Sequence, residues 1–405
     1  MPIVKPFKAL RPKPELAKEV SCLPYDVMST VEAREMATSS NSFLHIIRSE
    51  INYPDTVDPH SEQVYEMARQ NLNDFVSKGT LFRDEKDYFY IYRQTMDGRV
   101  QIGLVALCDT NDYVEGKIKK HENTLPEKEL DRMNHFAACK AQTEPVFFIH
   151  KFSDKMNEIY QKYILKTAEY NFVGDDGVGN ELWIVNEEND IRDISEIMKA
   201  QESFYIADGH HRTASATKVG KQVNPNDDIM SVIFSEESLY IMDYNRLLLD
   251  IGNLTSDQFL AKISEYFEII NKGKASCKPS KKHEFAMYFD KNWYILTAKN
   301  FSFDENDPTE NLDASILQNN LFDKILGIED PRTSKRLSFV GGIRGYEYLQ
   351  QQVDEANAVV AFGLFPVSVT DLLKVADNNS IMPPKSTWFE PKLRSGLFIY
   401  CYHSS

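Results

Sequence analysis

Apolar positions recur at two spacings along this chain, and the switches between them mark out its elements. Val64, Met67, Ala68, Leu72, Phe75 and Val76 fall three and four apart, so a helix is expected over 58–79 with Gly79 as its stop. Ser29 with Glu32 three positions on is a capping box that starts a shorter helix through Met36. Helical patterning returns over 153–167, 190–200, 313–326 and 346–355, and Leu254-Thr255-Ser256-Asp257 caps a helix expected to reach Ile270. Elsewhere the period is two. Residues 88–93 and 100–107 read as strands reversed at Met96-Asp97-Gly98, and 285–289 with 293–296 form a second hairpin around Asp290-Lys291-Asn292. Tyr88, Tyr90 and Tyr92 share one face, a stripe that favours packing over base stacking in so acidic a chain. Phe43 to Arg48 reads as a strand that puts His45 on the face of Phe43 and Ile47, as a core imidazole. Apolar runs at 145–149, 181–185, 229–234, 239–246 and 358–364 supply more strands, and 396–402 is expected to return the tail to a sheet.

Strands and helices mix through residue 246, as in the α+β class, and the character shifts after 253. The length of 405 residues exceeds what one core usually spans, so two domains are expected. We place them at 1–250 and 251–405, the second also α+β. The balance of 46 basic against 61 acidic residues gives a net charge of −15, which argues against a sequence-independent nucleic-acid binder and against an anionic membrane surface. Five scattered cysteines without a C-x-x-C pair suit a reduced, cytoplasmic protein. No stretch approaches the 18 uninterrupted apolar residues of a membrane span, and the N-terminus lacks an apolar leader core.

The densest chemistry lies at Phe204-Tyr205-Ile206-Ala207-Asp208-Gly209-His210-His211-Arg212-Thr213, read as a buried strand, a sharp turn and a helix start. Gly209 to Arg212 would sit over the helix N-terminus, where free N–H groups and the positive dipole end collect anions. Arg212 suits a bidentate grip on phosphate oxygens, and His210 and His211 suit donation to a phosphoryl group or proton transfer. Asp208 suits Mg²⁺, a substrate hydroxyl or the fixing of a histidine tautomer. The competing structural reading is a turn whose Asp caps the helix and whose imidazoles are solvated or core-satisfied.

This Asp-Gly-His-His-Arg stretch resembles the phosphate-binding signature of the ParB/sulfiredoxin-like superfamily, and of its free serine kinase branch in particular. Nearly the whole chain also resembles a large prokaryotic family known only as a domain of unknown function. That likeness runs through Pro24-Tyr25-Asp26-Val27, Ser42-Phe43-Leu44-His45 and Ile118-Lys119-Lys120-His121-Glu122 to Met382-Pro383-Pro384-Lys385-Ser386-Thr387-Trp388-Phe389-Glu390-Pro391-Lys392. The superfamily resemblance implies a ParB/sulfiredoxin-like mixed core in the first domain. It also implies a phosphotransferase for free serine or a similar hydroxy amino acid, with ATP or ADP and Mg²⁺ as cofactors and a small molecule and a nucleotide as partners. His210 stands where sulfiredoxins place a reactive Cys, which argues against sulfinic-acid repair.

In the same picture Gly209 and Arg212 bind the cofactor, joined by Lys120, His121, Arg132 and Lys385 as further phosphate or carboxylate contacts. Asp208, His210, His211 and Glu122 form the catalytic set, with Glu122 or an N-terminal carboxylate as base and Asp208 as the metal ligand. His135 and His150 read as structural. Two other classes compete: a nucleotide-binding regulatory protein of ParB type, and a phosphatase or hydrolase using the same pocket. Adjacent His210 and His211 lack the spacing of a helical zinc pair.

Overall fold

A computed structural model describes residues 1–223 and 228–402, a mixed α/β chain with several sheets. Its contacts form two units: Met1–Lys119, Thr124–Leu239 and Pro391–Ser405 in the first, Lys120–Asn123 and Tyr240–Glu390 in the second. Strands Tyr240–Met242 and Tyr244–Leu248, which precede residue 250, thus belong to the second unit, and the tail belongs to the first.

The first unit is built on a nine-stranded sheet. Its strands are β1 (Val4–Lys5), β2 (Phe89–Met96), β3 (Arg99–Asp109), β4 (Ile118–Lys119), β5 (Val146–His150), β6 (Tyr170–Val173), β7 (Gly179–Val185), β8 (Phe204–Asp208) and β9 (Asp228–Ser235). They lie in the order β4-β8-β5-β9-β3-β2-β7-β6, with β1 added along β3. β5 is buried at every position and β9 at all but its last, as continuous apolar runs at a sheet centre must be. The β2–β3 reversal is tight because Asp97 and Gly98 both take positive φ, 51° and 76°, the geometry whose twist matches a hairpin. Tyr90 and Tyr92 turn inward onto Phe398, with ring centres 6.1 and 5.6 Å away, so the tyrosine stripe is packing. The helices that matter to the site are α1 (Glu62–Ser77), α2 (Pro126–Cys139) and α3 (His210–Val223); α2 packs against both others. The capping box at Ser29 and Glu32 forms as expected, and Gly79 with φ +70° follows the end of α1.

Two local expectations fail for tertiary reasons. Leu44–Ile47 is one helical turn, not a strand. Phe43, Leu44, Ile46 and Ile47 are all buried, a pattern that a period of two cannot satisfy. His45 accordingly points away from the core, with Nδ1 2.8 Å from Asn52 Oδ1. The tail forms only a short strand, Tyr400–Cys401, paired with Ala141–Gln142, and adds bridges from Ile399 to Leu10 and from Ser395 to Cys22.

The second unit carries a six-stranded antiparallel sheet. In chain order its strands are β10 (Tyr244–Leu248), β11 (Phe267–Gly273), β12 (Glu284–Phe289), β13 (Asn292–Ala298), β14 (Leu337–Gly341) and β15 (Val360–Leu364), arranged β11-β13-β12-β15-β10-β14. The capped helix ends at Tyr266 rather than Ile270, because Phe267-Glu268-Ile269-Ile270 pairs with β13 instead. The helix expected over 313–326 forms as an α segment, Asp313–Leu317, continued by a π segment, Gln318–Asp323. Phe259, Phe285, Phe289, Phe322 and Phe362 pack one face of the sheet into a core. Among the described residues no helix is long and apolar enough to cross a membrane.

Asp313 is buried in this unit; one carboxylate oxygen accepts the His283 N–H at 2.8 Å and the other has no partner. Burial pushes its pKa up to about 7. A carboxyl raised in the folded state contributes stability that is full below its ordinary pKa and lost as pH rises through the folded value. Asp313→Asn should therefore flatten the decline in the second unit's stability between pH 4 and pH 8. Relative to the variant, the native protein should lose up to about 4 kcal/mol over that range, read from urea midpoints at each pH.

Candidate functional site

β8 ends in a bulge. Its pairing with β5 runs Tyr205–Ile149 and Ile206–Phe148 and then skips Ala207 to join Asp208 to Phe147. The extra residue bends the strand end and re-aims the Asp208 carboxylate. Gly209 follows with φ +90°, and α3 starts at His210, its first bond running from Thr213 N to Gly209 O at 2.8 Å. The amides of that first turn have no intrahelical acceptor, as at any helix N-terminus.

Arg212 folds back under the turn. It is 2% exposed; Nη1 donates to Pro145 O at 2.6 Å and Nη2 to Asp208 Oδ2 at 2.9 Å. Its Nε is buried without a hydrogen-bond partner. Burial works against the charge, but Asp208, Asp26 and Glu144 outweigh it, so the guanidinium is held above its usual range. Lys392 Nζ lies 3.9 Å from the other Asp208 oxygen, which leaves this carboxylate between two cations. The guanidinium passes so close to Gly209 that a Cβ there would meet Nε at 3.1 Å.

The two histidines differ. His210 is buried. His211 Nε2 accepts the Leu125 N–H at 2.9 Å, which puts the proton of the neutral ring on Nδ1. Leu125 precedes α2, and α2 and α3 are further locked by Ser215 Oγ on Glu129 O at 2.9 Å and by the Lys218–Glu129 ion pair. Burial raises the Glu129 pKa, but Lys218 and Thr124 outweigh that and hold it low.

Arg132, on α2, joins the same charge network through Glu144. Glu144 is 1% exposed and accepts from Arg132 Nη1 at 3.4 Å, Tyr25 N at 3.1 Å and Ser395 Oγ at 3.1 Å. Arg132 Nη2 also meets Asp131 at 2.7 Å, and its guanidinium lies 4.0 Å from the Tyr25 ring centre. A cleft of about 710 Å³ opens beside this pair, lined by Tyr25, Asp26, Arg48, His60 and Asp131 among others. His135 and His150 are buried with pKa values lowered by burial to about 4, as structural imidazoles should be.

Asp208, Gly209, His210, His211, Arg212 and Arg132 thus belong to the first unit, whereas Lys120, His121, Glu122 and Lys385 belong to the second. There the His121 carbonyl accepts the Met382 N–H at 2.8 Å, and Glu122 lines a cleft of about 420 Å³ with Arg332, Pro383 and Pro384. Sequence reasoning left out Glu144, Pro145 and Lys392 as partners of the motif. Glu144 carried a usable signal, a lone acid abutting an apolar strand that must be paired when buried.

The model of a family described as "Protein of unknown function (DUF1015)" matches residues 4–315. No curated protein matches the chain. Among solved structures, a conserved hypothetical protein from Pyrococcus furiosus aligns with 12% identity and a TM-score of 0.39 over 74% of this chain and 97% of its own. A free serine kinase in complex with AMP aligns with 11% identity and a TM-score of 0.39, over 72% of this chain and 92% of its own. A mutant of a free serine kinase in complex with ADP gives 12% and 0.38 over the same shares. Likenesses at this level assign neither substrate nor chemistry to this chain.

Gly209→Ala should lower stability by about 1–3 kcal/mol, from positive φ and the displaced Arg212, whereas Gly98→Ala, with positive φ but open space around it, should cost less. Chemical denaturation of both variants checks the order.

Proposed function

The chain belongs to the DUF1015 family, and we propose that its Asp208–Arg212 turn is the phosphate-binding centre of a small-molecule phosphotransferase. The substrate class proposed is free serine or a similar hydroxy amino acid, with ATP or ADP as donor and Mg²⁺. The observation that carries this reading is the turn itself: a glycine at φ +90° beside a buried guanidinium whose Nε has no partner, at the start of a 14-residue helix. A glycine that lets the guanidinium pass against the backbone, an orphaned donor and a helix N-terminus all suit a phosphate oxygen. A turn that served only to connect strand to helix would require none of them.

In this reading the first-turn amides and Arg212 hold phosphate oxygens, and His210 donates to the transferring group. His211 is fixed as the Nδ1–H tautomer by Leu125 and presents that proton as a donor. Asp208, with its side chain 29% exposed at the strand end, suits Mg²⁺, which when bound neutralises charge on the phosphoryl oxygens. Lys392 and Arg212 orient Asp208 for that role. Arg132, beside the cleft, is proposed to set the site for the substrate carboxylate. The α+β core of the first unit is proposed to be of ParB/sulfiredoxin-like type. Lys120, His121, Glu122 and Lys385 keep their proposed roles as contacts and base in the second unit, and each is tested singly by the same measurement.

The test is phosphorus NMR of the full chain with ATP or ADP, Mg²⁺ and free amino acids. The expected result is a new phospho-amino acid resonance. Bound but unconsumed nucleotide would instead mark a regulatory protein, and released phosphate a hydrolase. Asp208→Asn and His210→Asn should each lower the transfer rate by about 10²–10⁴-fold while the circular dichroism spectrum stays native.

A further inference from the structure

At the other end of β5 from the Asp208–Arg212 turn, a cavity of about 290 Å³ opens within the first unit. His150, the last residue of β5, and Ser235, the last of β9, both line it, and they lie side by side because the two strands run parallel in that register. β5 leads through Lys151-Phe152-Ser153 into the helix Asp154–Ile164, whose Met156 and Tyr160 stand four apart on one face and line the cavity as well. The carboxyl ends of parallel strands are where an open sheet commonly leaves room for a ligand.

Three polar atoms of these lining residues are buried without a hydrogen-bond partner among the described residues: His150 Nε2, the Tyr160 hydroxyl and the Ser235 hydroxyl. His150 and Tyr160 are only 1% and 4% exposed. The state of the imidazole is fixed. Its Nδ1 lies 2.7 Å from Lys151 O, so the proton of the neutral ring sits there and Nε2 carries a lone pair. Burial lowers the His150 pKa to about 4, so near neutral pH that nitrogen accepts and does not donate. The ring is thus structural through one nitrogen and unspent through the other. Tyr160 lies near the Leu104 backbone without completing a hydrogen bond to it, whereas Ser153 Oγ is already spent on Met156 N as the helix cap. Buried polar groups are nearly always paired, so three orphans around one cavity point to a guest that supplies their partners.

Apolar side chains supply much of the wall: Val100, Ile102, Phe152 and Met156. Val100 and Phe152 keep 46% and 41% of their surface exposed, area that a guest would cover. Among the described residues no Lys or Arg lines the cavity and the one charged side chain there, Glu237, is acidic, so an anion is disfavoured. We propose that this cavity binds a small uncharged molecule carrying a hydroxyl on an apolar body the size of an aromatic ring. A hydroxyl meets both needs at once, since it donates to His150 Nε2 and accepts from Tyr160 or Ser235. The space is sufficient, because a cavity of about 150 Å³ already takes benzene. The site selects a chemistry opposite to that of the phosphate turn and does not depend on the phosphotransferase reading.

The probes are phenol, toluene and benzoate, titrated into the full chain and into the double variant Tyr160→Phe/Ser235→Ala, which deletes two hydroxyls and little bulk. Affinity is read by saturation-transfer NMR, and the His150 ring by its nitrogen-15 resonances. Phenol is expected to bind the native protein and to move the His150 Nε2 resonance upfield as that nitrogen accepts a hydrogen bond. Toluene, which keeps the ring and lacks the hydroxyl, should bind about fivefold or more weakly and leave that resonance in place, and benzoate should bind more weakly than phenol. The double variant should lose about fivefold or more in phenol affinity while its affinity for toluene holds, a split that general loosening of the fold does not produce. Toluene binding as tightly as phenol, an Nε2 resonance that phenol does not move, or phenol affinity unchanged in the double variant overturns the proposal. So does the absence of any phenol response, which assigns the cavity to water alone. Should the double variant fail to fold, the His150 resonance of the native protein decides between phenol and toluene.

Discussion

The site depends on sealing the charge of Arg212 inside the first unit. An arginine cannot give up its proton to escape burial, so its surroundings must supply acceptors. Pro145 O and Asp208 do so, from the start of β5 and the end of β8. Those two bonds tie the first turn of α3 to two adjacent strands. They also account for local irregularities: the skipped Ala207 sets the direction of Asp208, and Gly209 leaves room for the guanidinium to pass. The network then spreads through Glu144 to Arg132 and Tyr25, so that acid and base alternate across the interior.

The second unit handles its buried arginine differently. Arg246 is satisfied by backbone carbonyls and ring faces, with no carboxylate among the described residues. Buried charges are costly in either arrangement.

What was legible in the sequence was what neighbouring residues decide. The hairpin at Asp97-Gly98, the capping box at Ser29 and Glu32, the helix stop at Gly79 and the strand–turn–helix around Gly209 are settled within a few positions. What was not legible depends on distant partners. The run from Phe43 to Ile47 carries β-forming residues, yet buries four of them by taking a helical turn. Phe267 to Ile270 leaves a helix for a strand because β13 offers a pairing edge. Around the motif, Asp208 and Arg212 are four residues apart and readable as a pair, whereas Lys392 and Glu144 reach them only through the fold. Arg246 was invisible for a related reason, since its distinction is a missing partner, and a sequence does not show which acids stay away.

The discontinuous first unit has a consequence for how the chain comes to be. Residues 391–402 leave the ribosome after the whole of the second unit, yet Phe398 packs on Tyr90 and Tyr92 and Ile399 bridges to Leu10. The six-stranded sheet of the second unit, which lies in one span from Tyr244 to Leu364, has every strand in hand before that tail emerges. The later-made sheet thus has all its strands while the earlier-made unit still lacks its tail.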